Sequence, residues 1–508
     1  MNKRWFVGLV IFLCLIILAL LGVILDKERE HNGPIKVQPA KNDAQIFRDR
    51  TLNIPTEKEE TPPAPPVVKT GISYQASIEE SKNLIDHGYY SNATILLSDL
   101  IRKKADNIAA YLVLGDIYLQ TNDLAKLTKL IESLEARFPG DAEVALLRTR
   151  KWILEGKFVL VLEMLESFDN PTPNLRWYQM VLYSLQNNHE KAKEILAQLQ
   201  GASLVDREEK ARIEDWGTVY KSFDEVSEGK NAHLFALFAK VLAEHNEAFL
   251  AKHFADLAIK DEIGYIDAWV LRGYSYFLMQ QYQVAEADFR HAYSLDTTRP
   301  ETQYFLGLTL YELENYEEAV LYFEQVLEYD FEFSESVRWK LVEIFSNQKK
   351  YEKALEMYET LLSSEEDPHR FISAVDMAVN ILGKPEVALH FTEELIKKDP
   401  DNIFLTNLYA WALIANKQYF EAEQTLNDLL EQDPYYARTH LNLGLLYEEQ
   451  QKFTESRVYY KNAYLYGKSD PKLLSIVNLA SERYNALLEK EDRPDVEEVL
   501  TDRQKNSP

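Results

Sequence analysis

Beyond Gly71 the sequence repeats itself every 34 residues, and that period restricts the fold more than any other feature. Gly273 and Gly307 are 34 apart, as are Pro139 and Pro173, and Pro400 and Pro434. Ala354, Ala388 and Ala422 take the same step, which next reaches Ser456. Several independent series at one spacing define a structural unit of that length. Composition says what the unit is made of. With only 17 Gly and 18 Pro in 508 residues, the chain lacks the turn residues of an all-β fold, while its many Leu, Ala, Glu and Lys favour helices. One helical hairpin leaves an apolar face uncovered, so neighbouring units must stack. The predicted fold class is all-α, a helix-turn-helix solenoid, which also suits a chain too long for one compact core.

Tracing the period gives about eleven units: 74–107, 108–141, 142–175, 176–200, 232–265, 266–299, 300–333, 335–368, 369–402, 403–436 and 437–470. The register slips by one residue near Phe331 and breaks between Gly201 and Asn231. The predicted organisation is therefore an N-terminal set of repeats over 76–200, a connector over 201–231, and a C-terminal set over 232–470. The connector reads as a polar helix around Trp216 and Tyr220: a hinge, a degenerate repeat or an extra packing helix. Residues 471–490 form a capping helix, and the charged tail 491–508 is predicted to be disordered.

Residue types within the units have physical reasons. Small residues such as Gly273 and Ala285 let two helices approach, Tyr276 and Phe289 fill the space between neighbours, and Asp399-Pro400 and Asp433-Pro434 stop one helix and start the next. This pattern resembles the tetratricopeptide repeat family, whose unit carries W-x2-L-G-x2-Y in its first helix and A-x3-F-x2-A in its second. Trp269, Gly273, Tyr276, Ala285, Phe289 and Ala292 fall on that pattern, with Arg272 standing where Leu is expected. The next unit matches with Leu306, Gly307, Ala319 and Phe323; the last with Leu443, Gly444, Tyr447, Tyr460 and Ala463, with Ser456 in place of Ala.

The resemblance implies a right-handed superhelix that binds protein or peptide partners, with the first helices lining its concave face. Carried over position by position, it places Val270, Tyr274, Phe277, Tyr304, Leu308, Tyr311, Trp339, Phe345, Asn407, Trp411 and Leu441 along a partner-binding groove. Aromatic residues on first helices also pack between adjacent repeats, and from the sequence both readings of this stripe stand. The family's carboxylate clamp is not implied: its Lys and Asn positions carry Val270, Tyr274, Tyr304 and Leu308.

At the other end, residues 5–25 are 21 consecutive uncharged, mostly apolar positions, about 32 Å as a helix and enough to span a bilayer. With no small-residue cleavage site after it, this run is read as an uncleaved signal anchor, residues 1–4 as a cytoplasmic tail bearing Lys3 and Arg4, and 26–75 as a flexible linker holding seven prolines. The expected placement is single-pass in the cytoplasmic (inner) membrane with the bulk of the chain periplasmic or otherwise extracytoplasmic. The alternative faces the cytosol and resembles anchored adaptors of envelope lipopolysaccharide control; those carry a C-terminal Cys-x-x-Cys pair, whereas the one cysteine here is Cys14.

No catalytic constellation emerges. HExxH, GxxxxGK[ST], GxGxxG and GxSxG are all absent, and His245 and His253 stand alone rather than in a ligand set. The formal charge of -26 argues against nucleic acid, which needs clustered cations. The expectation is a chain without catalytic, metal or cofactor sites: a membrane-anchored scaffold for protein partners in a bacterial envelope assembly of the secretion, pilus or flagellar-motor accessory class.

Overall fold

The computed structural model describes residues 74–103, 107–202, 206–224, 230–329, 331–362 and 367–491. The described residues up to Gln325 form one compact unit and those from Val326 a second. Among the described residues there are twenty-four α-helices and no strand.

In the first unit, consecutive helices pair as hairpins: α1 (Tyr74–Asp86) with α2 (Tyr90–Lys103), α3 (Ala109–Gln120) with α4 (Leu124–Arg137), and α5 (Ala142–Leu154) with α6 (Phe158–Glu166). Then come α7 (Pro173–Leu185) with α8 (His189–Gln200), the single helix α9 (Arg207–Asp224), and α10 (Asn231–Glu244) with α11 (Ala248–Asp261). The unit closes with α12 (Ile266–Leu278) and α13 (Tyr282–Leu295), then α14 (Pro300–Glu312) and α15 (Tyr316–Val326). The second unit holds α16 (Ser334–Asn347) with α17 (Tyr351–Leu361), α18 (Ile372–Asp376) with α19 (Pro385–Lys398), α20 (Ile403–Ala415) with α21 (Tyr419–Gln432), α22 (Ala437–Glu449) with α23 (Phe453–Gly467), and the terminal α24 (Leu474–Glu491).

Each hairpin turns on one residue in the left-handed region. In the first unit these are Gly88, Asn122, Gly156, Asn187, Asn246, Gln280 and Glu314; in the second, Lys349, Gly383, Lys417 and Gln451. The following residue donates its N–H to a carbonyl five positions back, as from Asp123 to Tyr118 (2.8 Å), Gln281 to Tyr276 (2.9 Å) and Asn315 to Leu310 (2.8 Å). These bonds satisfy carbonyls that a helix C-terminus otherwise leaves open. The turn residues step by 34 from Gly88 to Gly156 and again from Asn246 onward, except between Glu314 and Lys349, where the extra residue is the slip near Phe331; from Gly156 to Asn187 the step is 31, and α9 intervenes before Asn246.

Close approach of paired helices depends on glycine at two positions in succession. A Cβ on Gly273 would stand 2.8 Å from Phe289, and one on Gly307 would stand 2.7 Å from Phe323. Both phenylalanines are fully buried. The motif's small and large residues are therefore complementary halves of one contact.

Helix α9 is an extra packing helix. Trp216 is fully buried, stacked on Phe238 at 4.2 Å and edge-on to Trp177 at 5.3 Å and Phe254 at 5.8 Å. Tyr220 Oη lies 2.9 Å from Ser184 Oγ and 3.0 Å from His189 Nδ1. Rings from α7, α10 and α11 thus converge on this helix.

One first helix departs from the regular form expected for 369–402. Pro368–Phe371 is 3-10, α18 follows with five residues, and Met377–Ile381 is a π-turn. The wide turn lets the Lys384 N–H reach Ala378 O (2.7 Å) around Gly383, so the hairpin still closes on the 34-residue step.

The expected placement in the cytoplasmic membrane is corrected here. Among the described residues no helix is long and apolar enough to cross a membrane. The apolar run 5–25, the linker 26–75 up to residue 73, and the tail from residue 492 lie outside the described residues.

Candidate partner-binding surface

The eleven residues of the expected stripe separate by burial. Val270, Tyr274, Tyr304, Leu308, Trp339, Phe345, Asn407 and Leu441 are buried; Phe277, Tyr311 and Trp411 are half-exposed. The buried ones have partners within the fold. Tyr274 packs on Phe305 (4.9 Å between ring centroids), as does Tyr304 (5.3 Å), and Trp339 meets Tyr358 (5.6 Å) edge-on. Asn407 Nδ2 donates to Thr439 Oγ1 (3.0 Å), and Asn442 Nδ2 donates to the Asn407 carbonyl (2.8 Å), tying α20 to α22. A buried amide so satisfied is a cross-link between repeats.

Phe277 and Tyr311 are held differently. Phe277 stands edge-on to Tyr282 (5.3 Å, 63°), and one period later Tyr311 stands edge-on to Tyr316 (5.5 Å, 63°). In each case the first-helix aromatic leans on the first residue of its second helix, which braces it while leaving part of its surface accessible. Braced, half-exposed aromatic rings at a regular step suit a protein partner, because they bury large apolar area with little side-chain entropy to lose.

The polar groups of α12 are occupied internally. Arg272, at the position where the repeat pattern has Leu, bonds Asp288 Oδ1 (2.6 Å) and Asp256 Oδ1 (3.0 Å), and its guanidinium lies 4.5 Å from the Trp269 ring. The carboxylates raise the guanidinium's pKa above the ordinary arginine value against the opposing effect of burial, the Asp288 hydrogen bond being the largest contribution. Trp269 Nε1 donates to Ile263 O (2.7 Å). These groups are bonded within the fold, and among the described residues no cluster of His, Cys, Asp and Glu could hold a metal ion. The two histidines singled out in the sequence go separate ways: His245 Nε2 lies 2.9 Å from Asp215, while His253 is wedged between Phe158 and Phe249.

A structural unit of two helices closing on a 34-residue step, with glycine seated against a buried phenylalanine, decides the likeness. Family models described as tetratricopeptide repeat match residues 266–299, 300–333 and 381–438. These segments carry tetratricopeptide repeats.

No curated protein matches the chain. Among solved structures, a tetratricopeptide repeat protein from Parabacteroides merdae is 12% identical, covering 49% of this chain and 99% of its own, with a TM-score of 0.29. YrrB, described as a TPR protein with an unusual peptide-binding site, is 16% identical over 45% of this chain and 97% of its own, with a TM-score of 0.24. Yeast Tom70 is 15% identical over 85% and 99%, with a TM-score of 0.21. Tetratricopeptide repeats are generally non-catalytic and mediate protein–protein interaction.

The repeat pattern does not single out Arg438, at the second position of α22. It is half-buried, and its guanidinium lies 5.3 Å from the Phe404 ring.

Proposed function

We propose that this chain is a non-catalytic scaffold that holds protein partners against the first helices of its repeats. The observation that carries the reading is the pair Phe277 and Tyr311: half-exposed, braced alike by Tyr282 and Tyr316, and one period apart. Their buried neighbours Tyr274 and Tyr304 belong to the inter-repeat packing and supply the rigid floor. An extended or helical segment of a partner, crossing successive first helices, would meet one such ring per repeat.

The test is a photo-crosslinking amino acid placed at Phe277 or Tyr311 in the full chain, with Leu321, 57% exposed on a second helix, as the control position. Capture of a defined partner from the first two positions and not from the third is the expected result. Equal capture from all three, or capture from Leu321 alone, would overturn the assignment of the face.

The narrower assignments, to a bacterial envelope assembly or to an adaptor in envelope biogenesis control, are supported by the composition of the N-terminal segment alone. Cross-linking with mass spectrometric identification of the captured partner decides between them: a secretion, pilus or flagellar-motor component supports the first, and an envelope-biosynthesis regulator the second.

A further inference from the structure

We infer that the second unit carries a docking point for an acidic peptide segment of a partner protein, centred on Arg438 and Phe404. The inference rests on the scaffold reading above and names the chemistry of one partner segment.

In this chain acidic residues outnumber basic ones 82 to 56, and several half-buried arginines find carboxylates. Arg272 bonds Asp256 and Asp288, and Arg299 lies 2.5 Å from Asp267. Arg438, like Arg338, has no such partner among the described residues, and it alone of the two lies against an aromatic ring. Among the described residues its guanidinium has the Phe404 ring at 5.3 Å and no carboxylate or other hydrogen-bond acceptor. Burial draws its pKa below the ordinary arginine value, opposed only by a smaller contribution from the Tyr436 side chain. A guanidinium partly removed from water without a counter-ion is unfavourable in the free protein, and an incoming carboxylate relieves it.

The geometry suits that role. The guanidinium lies 5.3 Å from the Phe404 ring centroid, a contact that uses none of its N–H donors, and such a fork of donors matches a carboxylate bidentately. The Phe404 ring also meets His369, 3.9 Å away between ring centroids. Arg370, Phe404 and Arg438 succeed one another at 34-residue steps, each at the second position of a repeat. The row therefore alternates cation, ring and cation along the direction in which a bound segment would run. With a formal charge of -26 over the whole chain, an acidic segment is favoured only where local cations offset that charge, as Arg370 and Arg438 do in this row.

The experiment uses the full chain and, as probe, a fluorescein-labelled hexaglutamate peptide with an amidated C-terminus, read by fluorescence anisotropy at low ionic strength. Wild type is expected to bind it and not the hexaglutamine analogue. Arg438→Gln should weaken binding at least tenfold, Arg438→Lys should retain part of it, and both should keep wild-type helix content by circular dichroism. Unchanged binding by Arg438→Gln overturns the inference, as does equal binding of hexaglutamine. Displacement by inorganic phosphate at the same molar concentration as by unlabelled peptide would show a bare anion site instead and also overturns it. If Arg438 proves irrelevant while crosslinkers at Phe277 still capture a partner, this inference falls and the scaffold reading survives.

Discussion

Arg272 Nη2 and Asp288 Oδ1 lie 2.6 Å apart, joining α12 to α13 at the position where the repeat pattern calls for leucine. Asp288 is buried and Arg272 largely so, and the same guanidinium reaches back to Asp256 on α11. Removing one member of such a cluster strands a buried charge, whereas replacing both with apolar groups of similar volume is close to neutral. Arg272→Leu is therefore expected to destabilise the first unit by about 3 kcal/mol, despite restoring the family's residue. The double variant Arg272→Leu with Asp288→Leu should recover most of that loss. Urea unfolding followed by circular dichroism measures both; a single variant as stable as wild type would show the cluster to be dispensable.

Tyr274 and Phe277 lie within one turn of α12, yet only Tyr274 is buried. Tyr274→Ala should lower stability by about 3 to 4 kcal/mol, the loss typical of truncating a buried aromatic. Phe277→Ala should cost about 1 kcal/mol or less and act on partner capture instead. Unfolding midpoints of the two variants, measured beside crosslinking yield from Tyr311, separate the roles. Comparable destabilisation by both would return Phe277 to the core.

The pairing of Gly273 with Phe289 was legible because it depends on two residue types at a fixed spacing within one unit. The split between Tyr274 and Phe277 was not. Both are apolar aromatics on a first helix, and what buries Tyr274 is in part Phe305, which belongs to the next repeat. Arginine shows the same limit. Arg272 and Arg438 read alike in a sequence, but one meets two aspartates and the other a phenylalanine ring, which depends on what the adjoining repeats present. Trp216 and Tyr220 were visible as a helix, but its role required knowing that Trp177, Phe238 and Phe254 converge on it.

Turn chemistry was the least legible element, and it yields a direct stability test. Gly88, Gly156 and Gly383 mark three of the hairpin turns, but others turn on Gln280, Glu314, Lys349, Lys417 and Gln451, at φ between 57° and 61°. A left-handed conformation costs an L-residue with a Cβ about 1 kcal/mol or more, partly offset by the greater unfolded-state entropy of glycine. Gln280→Gly and Lys349→Gly should each raise stability by about 0.5 kcal/mol, while Gly156→Ala should lower it by about 1 kcal/mol. Denaturation midpoints of the three variants check this. A glycine substitution that destabilises would mean that the replaced side chain supports the turn.

His253 sets an acid limit on the first unit. Its ring meets Phe158 edge-on at 4.9 Å and Phe249 at 4.8 Å, and its Nε2 is buried without a hydrogen-bond partner. Burial, with a smaller contribution from Lys252, pushes its pKa from 6.5 down to about 4. The folded state thus holds the neutral imidazole while the unfolded chain takes up a proton below pH 6.5. The stability it contributes is present above pH 6.5 and is lost as pH falls from 6.5 towards 4, by an amount of order 2 kcal/mol. His253→Phe keeps a ring against Phe158 and Phe249 but cannot be protonated. The difference in unfolding free energy between variant and wild type should therefore shift in favour of the variant across that window and stay constant from pH 7 to 8. A difference that does not change between pH 6.5 and 4 would show that His253 stays neutral in both states or is solvated in the fold.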